Sequence, residues 1–212
     1  MALYLGDTKV SPTIEKEYLG IPLELSATGV LQKSTTPFTW SLPSNATDIA
    51  QYAMYYAFYG CTGLTSLDLS SLTTISGYRA IYQTFYNCTG LTSVDLSSLT
   101  TISGPNAMYY AFYGCTGLTS VDLSSLTTVS GEQAIANAFR GCTKLKTLSF
   151  PSLTSNSFGS NTNQFYNMLS GVTGCTVHFP SNLQSVIGSW SDVTAGFGGT
   201  NTTVLFDLPA TT

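Results

Sequence analysis

The stretch AMYYAFYGCTGLTSVDLSSLTTVSG, residues 107–131, repeats AMYYAFYGCTGLTSLDLSSLTTISG at 53–77 and AIYQTFYNCTGLTSVDLSSLTTISG at 80–104. A looser copy, AIANAFRGCTKLKTLSFPSLT, runs over 134–154. Cys61, Cys88, Cys115 and Cys142 mark the phase, each 27 residues after the one before. A fixed period of this length predicts a stacked array, in which each unit buries its apolar edge against its neighbours.

Within the second copy the apolar positions are Phe85, Cys88, Leu91, Val94, Leu96, Leu99 and Ile102. Leu91, Val94 and Leu96 mark a short strand whose alternate side chains enter the core. Upstream, Ile81, Thr84 and Phe85 stand at i, i+3 and i+4, the spacing of one face of a short helix or helical turn. Thr89-Gly90 turns the chain into the strand, with glycine supplying backbone freedom, and Ser103-Gly104 closes the unit. Each repeat therefore reads as one solenoid turn, with a strand on one side and a returning segment with a short helix on the other.

The pattern Phe58-Cys61-Leu64-Leu67-Leu69-Leu72-Ile75, carried through to Phe139-Cys142-Leu145-Leu148-Phe150-Leu153, resembles the BspA-like leucine-rich repeats of bacteria. It departs from the common leucine-rich pattern at Leu72, Leu99 and Leu126, where Asn or Cys usually stands. The resemblance covers about residues 38–187. It implies a leucine-rich-repeat solenoid and, functionally, a surface or secreted protein that binds other proteins or glycans.

The expected fold class is an α+β repeat: a short solenoid of four to five coils, with an N-terminal β element and a β-rich C-terminal cap. Its parts are a strand-rich docking element at 1–36, the solenoid at 37–187 and the cap at 188–212. Repeats fall near 53–79, 80–106, 107–133 and 134–160, with a degenerate unit at 161–187. Residues 1–36 hold seven of the eighteen charged residues and so differ in composition from the array. Phe38-Thr-Trp40-Ser-Leu42 reads as a half-repeat strand, with Asp48-Ile49-Ala50 leading into the first helix. In the degenerate unit Phe165-Tyr-Asn-Met168 stands in for Phe-x-x-Cys after a two-residue insertion, and Thr176–Pro180 mirrors Thr147–Pro151. Trp190 and a strand over 203–208 close the end. The glycine-rich 195–201 is a tight loop and lacks the Lys-Ser/Thr of a phosphate-binding loop.

Charged residues make up only 8% of the chain, against roughly 25% in typical soluble domains. Ser, Thr, Tyr, Asn and Gly carry the surface instead, a composition that leans toward extracellular or virion proteins. A net charge of −4 with seven Lys and Arg argues against nucleic acid as a partner. Arg140, Lys144 and Lys146 read as a solvated terminal face. No segment approaches the roughly 18 apolar residues of a membrane span, so membrane insertion is not expected. The start, MALYLGDTKVSPTIEKEY, lacks the basic region and the apolar run of about 7–15 residues of a secretory signal. It predicts a chain not exported by that route. MALYLGDTKVSPTI is similar to the N-termini of structural and tail-associated proteins of phages and prophages of Gram-positive bacteria. That resemblance implies docking to virion proteins, or self-association, through residues 1–36.

The four in-phase cysteines read as a column of buried thiols, with Cys175 out of phase. A ladder of that kind does not converge on a tetrahedral metal centre, and one His exists, His178. No cofactor or metal is expected.

Equivalent outward residues of a solenoid line up in columns. One column is Asp68, Asp95 and Asp122, ending at Ser149. Parallel strands about 4.8 Å apart make neighbouring carboxylates repel by about 1 kcal/mol in water-like surroundings. Ser66, Ser93 and Ser120, solvent or a calcium-like cation would offset that; a solvated acidic stripe is the plain alternative. The second column is aromatic: Tyr59, Tyr86 and Tyr113, beside Tyr55, Tyr82 and Tyr109. Tyr gives broad contact area at low entropy cost and dominates binding surfaces, while packing between coils explains the same pattern without a ligand. His178 sits in a degenerate strand with no nucleophile in prospect, and an exposed Asp stripe lacks the pocket a glycosidase acid needs. The expected function is thus non-enzymatic: a phage or prophage virion component, tail-fibre-like or decorating, that recognises a protein or glycan on a bacterial surface. The alternative is a cell-surface or secreted adhesin.

Overall fold

The computed structural model describes residues 37–42, 44, 46–158 and 163–210, together with four short strands in the first 36 residues. Those four pair as two antiparallel hairpins, β1 (Leu3–Leu5) with β2 (Thr8–Val10) and β3 (Leu23–Leu25) with β4 (Leu31–Lys33). The remainder of 1–36, and with it the expected docking element, lies outside the described residues.

From residue 38 onward the chain winds as a stack of coils whose strands pair in parallel, one coil to the next. One face carries β5 (Phe38–Ser41), β6 (Leu64–Asp68), β8 (Ser93–Asp95) and β10 (Ser120–Asp122) in a single sheet. It is continued by β12 (Thr147–Ser149), β13 (Thr176–Pro180) and β14 (Thr203–Leu208). A second, narrower sheet holds β7 (Thr74–Ile75), β9 (Thr101–Ile102) and β11 (Thr128–Val129). The register repeats the sequence period, with Ser66, Ser93 and Ser120 in one row and Asp68, Asp95 and Asp122 in another. The leucine-rich-repeat solenoid is therefore present as expected. β14 pairs with β13 and adds a further coil beyond the four or five expected.

The returning segment is where sequence expectation and structure part. No helix forms over Ala80–Cys88 or its counterparts; the only α-helical turns among the described residues are Gln184–Ile187 and Ser191–Thr194. Instead the backbone alternates its hydrogen bonds. Ile81, Gln83, Phe85 and Asn87 donate to Ala107, Tyr109, Ala111 and Tyr113 in the next coil, while Tyr82, Thr84, Tyr86 and Cys88 donate to the carbonyls three residues back. Every fourth residue takes a left-handed conformation: Tyr52, Tyr56 and Gly60; Arg79, Gln83 and Asn87; Asn106, Tyr110 and Gly114. A non-glycine residue there costs roughly 1–2 kcal/mol. A helix would have satisfied its own N–H groups, and the coil gives that up to place half of them on its neighbour. Ile81, Thr84 and Phe85 still face inward, fully buried, so the expected face is correct although the helix is not.

The role of Gly90 also differs from expectation, and Gly104 shares it. Gly90 and Gly104 have no positive φ; a Cβ on Gly90 would overlap the Thr62 carbonyl, and one on Gly104 the Gly77 carbonyl. Close approach of successive coils, rather than backbone freedom, requires glycine here.

The core is a set of ladders along the stack. Phe58, Phe85, Phe112 and Phe139 stack at 5.3, 5.3 and 5.6 Å between ring centroids. Trp40 closes the front of this column 4.8 Å from Phe58. Beside it Cys88, Cys115 and Cys142 each donate a thiol hydrogen at 3.1 Å to the carbonyl of Phe58, Phe85 or Phe112 one coil earlier. All five cysteines are buried free thiols, and burial pushes Cys142 up to about 12. The hydroxyl-rich composition has a structural cause: Thr92 and Thr119 bond the carbonyls of Thr65 and Thr92, and Thr100 and Thr127 those of Thr73 and Thr100, at 3.0–3.1 Å.

The degenerate fifth coil is phased differently from the sequence expectation. Phe139 and Gly141 donate to Met168 and Ser170, which makes Leu169-Ser-Gly171-Val172 the counterpart of Phe139-Arg-Gly141-Cys142. Gly171 repeats the positive φ of Gly141 (78° against 75°). Phe165 takes the place of Ile135 instead. The strands recover the expected match, with Thr147, Leu148 and Ser149 beside Thr176, Val177 and His178. The 195–201 loop contains a 3-10 turn, Gly196–Gly198, that drives Phe197 into the core.

Removing one rung of the phenylalanine ladder tests this account. Phe85→Ala should lower unfolding free energy by about 3–5 kcal/mol, read by chemical denaturation.

Candidate binding faces

The strand face carries the acidic column. Asp68, Asp95 and Asp122 are exposed and line a shallow groove with Ser66, Ser93 and Ser120. Each carboxylate accepts a 2.9 Å hydrogen bond from the backbone N–H two residues on, at Ser70, Ser97 and Ser124. The hydroxyl and N–H of Ser70 hold Asp68 below the usual carboxylate value. Turn residues after the strand thus help offset like-charge repulsion, a contribution beyond the Ser66 row, solvent or cation that the sequence suggested. Among the described residues no group of three or more His, Cys, Asp or Glu is placed to hold a metal ion.

At the far end of this face His178 Nδ1 lies 2.9 and 3.0 Å from the two Asp207 carboxylate oxygens. Sequence reading missed Asp207, which stands on β14 two residues beyond Leu205, the register partner of His178. The pair ties β13 to β14, and its side chains are 24% and 47% exposed. Lys146 bonds the Thr173 carbonyl at 2.8 Å, whereas Arg140 lies on the other side of the coil, 5.8 Å from the Tyr113 ring. The three cations therefore do not form one patch.

The returning face is aromatic. The alternating backbone sets Tyr59, Tyr86 and Tyr113 in one column, stacked at 4.7 and 4.3 Å with interplanar angles of 5° and 12°. Tyr55, Tyr82 and Tyr109 form a second at 5.1 and 5.6 Å, tilted by 15° and 7°. The structure brings all six sequence-selected tyrosines together. Tyr56 and Tyr110 fasten the columns to each other by edge-on or tilted contacts to Tyr55 and Tyr59, and to Tyr109 and Tyr113. Arg79 lies over Tyr78 and Tyr82 at 5.1 and 4.9 Å. Most of these rings are half-buried, and Tyr59 is 40% exposed.

Ring faces are consumed by the stacking, so the surface offered to a partner consists of ring edges and hydroxyls. Burial, then the neighbouring Tyr113 hydroxyl, pushes Tyr86 up to about 12; burial, then Tyr55, does the same for Tyr56. The columns lapse where Ala136 and Arg140 replace Tyr in the fourth coil.

The family model of the BspA-type leucine-rich repeat region matches residues 39–170 in six copies, more than half the chain. The chain belongs to the BspA-type leucine-rich repeat family. No curated protein and no solved structure matches it. Repeat proteins of this kind are scaffolds for protein–protein interaction, and their extended faces provide the surface. For this BspA-type protein two faces are candidates, the acidic groove and the tyrosine columns. No helix among the described residues is long and apolar enough to cross a membrane.

The tyrosine shifts give a pH dependence. Unfolded Tyr ionises near pH 10, whereas Tyr86 and Tyr56 stay neutral in the fold up to about 12. Below pH 10 both states are protonated and the stability is fully present; between about 10 and 12 the unfolded chain sheds protons that the fold retains, so stability falls. Melting temperature should decline over that window, and Tyr86→Phe should make the decline shallower.

Proposed function

We propose that this protein is a non-enzymatic recognition module that binds a protein or glycan on a bacterial surface through its tyrosine face. The observation that carries this reading is the pair of three-rung tyrosine columns on the returning face. They present hydroxyls and ring edges at the spacing of one coil, on a scaffold class that serves protein binding. Tyr is enriched among residues that dominate binding energy because it is large, amphipathic and rotamer-poor. Stacking holds these rings in place before binding, which lowers the ordering cost on association. Edges and hydroxyls favour a partner rich in hydrogen-bond acceptors, such as a protein surface, over a sugar stacked flat on a ring.

The setting we propose is a phage or prophage virion, with residues 1–36 docking to particle proteins or to sister subunits. Its support is the resemblance of MALYLGDTKVSPTI to virion structural proteins, together with the low-charge surface. Immunogold electron microscopy of purified particles and of cell walls separates the settings: label on particles supports the virion, and label confined to cell walls selects the adhesin alternative.

Binding itself is tested with intact Gram-positive bacterial cells as the probe. Tyr59, Tyr86 and Tyr113 replaced together by Ala should lose cell binding by at least about tenfold, equivalent to about 1.4 kcal/mol, with the circular-dichroism spectrum retained. The Phe triple variant, which keeps the stack, separates loss of hydroxyls from loss of packing. Unchanged binding in both variants removes this face from consideration.

A further inference from the structure

The closest ring pair on the tyrosine face has a chemical consequence independent of ligand binding. Tyr86 and Tyr113 lie 4.3 Å apart between centroids, at 12° from parallel, in equivalent positions one coil apart. Near-parallel rings of equivalent residues in successive coils lie over one another. Equivalent ring edges, with the carbons ortho to each hydroxyl, are thereby brought side by side. Both rings are half-buried, and the part of each that reaches the surface is open to an oxidant.

The side chains that ordinarily intercept oxidants are hidden. Cys61, Cys88, Cys115, Cys142 and Cys175 are buried, and so are Met54, Met108 and Met168. Oxidation of Cys and Met follows exposure and, for Cys, thiolate character; burial removes the first and, by raising the thiols of Cys115, Cys142 and Cys175, the second. Among the described residues tyrosine is thus the most abundant oxidisable group at the surface.

We infer that Tyr86 and Tyr113 are a modification site, at which one-electron oxidation forms a dityrosine bond joining the second coil to the third. Each phenol gives up one electron and one proton to become a tyrosyl radical. The two radicals join through a new bond between ortho carbons, and the hydrogen on each of those carbons moves to its oxygen as the rings regain aromaticity. The pair has then lost two electrons and two protons. Hydrogen peroxide, acting through a haem peroxidase, accepts them and yields two waters. The bond staples coils otherwise held by hydrogen bonds and packing, so it would resist unzipping of the array in an oxidising extracellular setting.

The test treats the full-length protein, dilute and folded, with peroxidase and hydrogen peroxide. An endoprotease cutting before Asp68, Asp95 and Asp122 then separates the two rings onto fragments 68–94 and 95–121. The expected result is a linked pair of these fragments, two hydrogens lighter than their sum, with dityrosine fluorescence in monomeric protein. Tyr86→Phe, which preserves the stack, should abolish the linked pair; Tyr82→Phe, in the neighbouring column, should leave it. The linkage should also vanish when oxidation is done in denaturant. A pair that persists in Tyr86→Phe, forms equally in denaturant, appears only between molecules or does not form at all overturns the inference.

Discussion

The sharing of backbone hydrogen bonds between coils is the constraint on which the rest of this structure depends. On the strand face that sharing is ordinary parallel pairing at a 27-residue offset. On the returning face it is achieved differently, by alternating donors between the next coil and the carbonyl three residues back. Both arrangements impose one register, so every side-chain type repeats directly above its counterpart. Phenylalanines meet phenylalanines, thiols meet carbonyls and threonine hydroxyls meet the carbonyl one coil earlier. The same register accounts for the scarcity of charge, since a charged residue in every coil would face its own copy about 4.8 Å away. The aspartate column survives because each carboxylate is held by a serine N–H in the turn that follows.

That register also makes the functional surface. Tyrosines placed once per coil become continuous columns only because the backbone brings successive copies within stacking distance. Stacking spends the ring faces on neighbours and leaves edges and hydroxyls outward, which changes the kind of partner the surface suits. The conversion of Tyr113's successor to Arg140, 5.8 Å from the Tyr113 ring, ends the column with a cation rather than another ring.

Much of this could be read from residues. The period, the inward positions Phe85, Cys88, Leu91, Val94, Leu96, Leu99 and Ile102, and the buried free thiols all follow from the spacing and are found buried. The front strand at Phe38–Ser41 and the closing strand at Thr203–Leu208 were legible from apolar alternation. The helix was not correctly legible, because Ile81, Thr84 and Phe85 fit a helical face and the alternating ribbon equally well. A signal was present: Gly60, Asn87, Gly114 and Gly141 occupy the position before cysteine, and Gly and Asn favour the left-handed conformation they adopt. Tyr56 and Tyr110 adopt it too, against their own preference, and no local rule announces that. The phase of the fifth coil was misread because Phe165 is a better match by type than Leu169, and only the hydrogen bonds of Phe139 and Gly141 decide between them.

By itself the sequence determined the architecture: a 27-residue repeat with one apolar edge can bury that edge only by stacking, and the phase of its cysteines and phenylalanines names the core. Tertiary structure alone decided how the returning segment runs, which ring faces are spent on neighbours, that His178 meets Asp207, and that Arg140 parts company with Lys146. These depend on which coil's carbonyl lies opposite each N–H. Local propensity does not encode that, because it arises only when successive turns lie against each other.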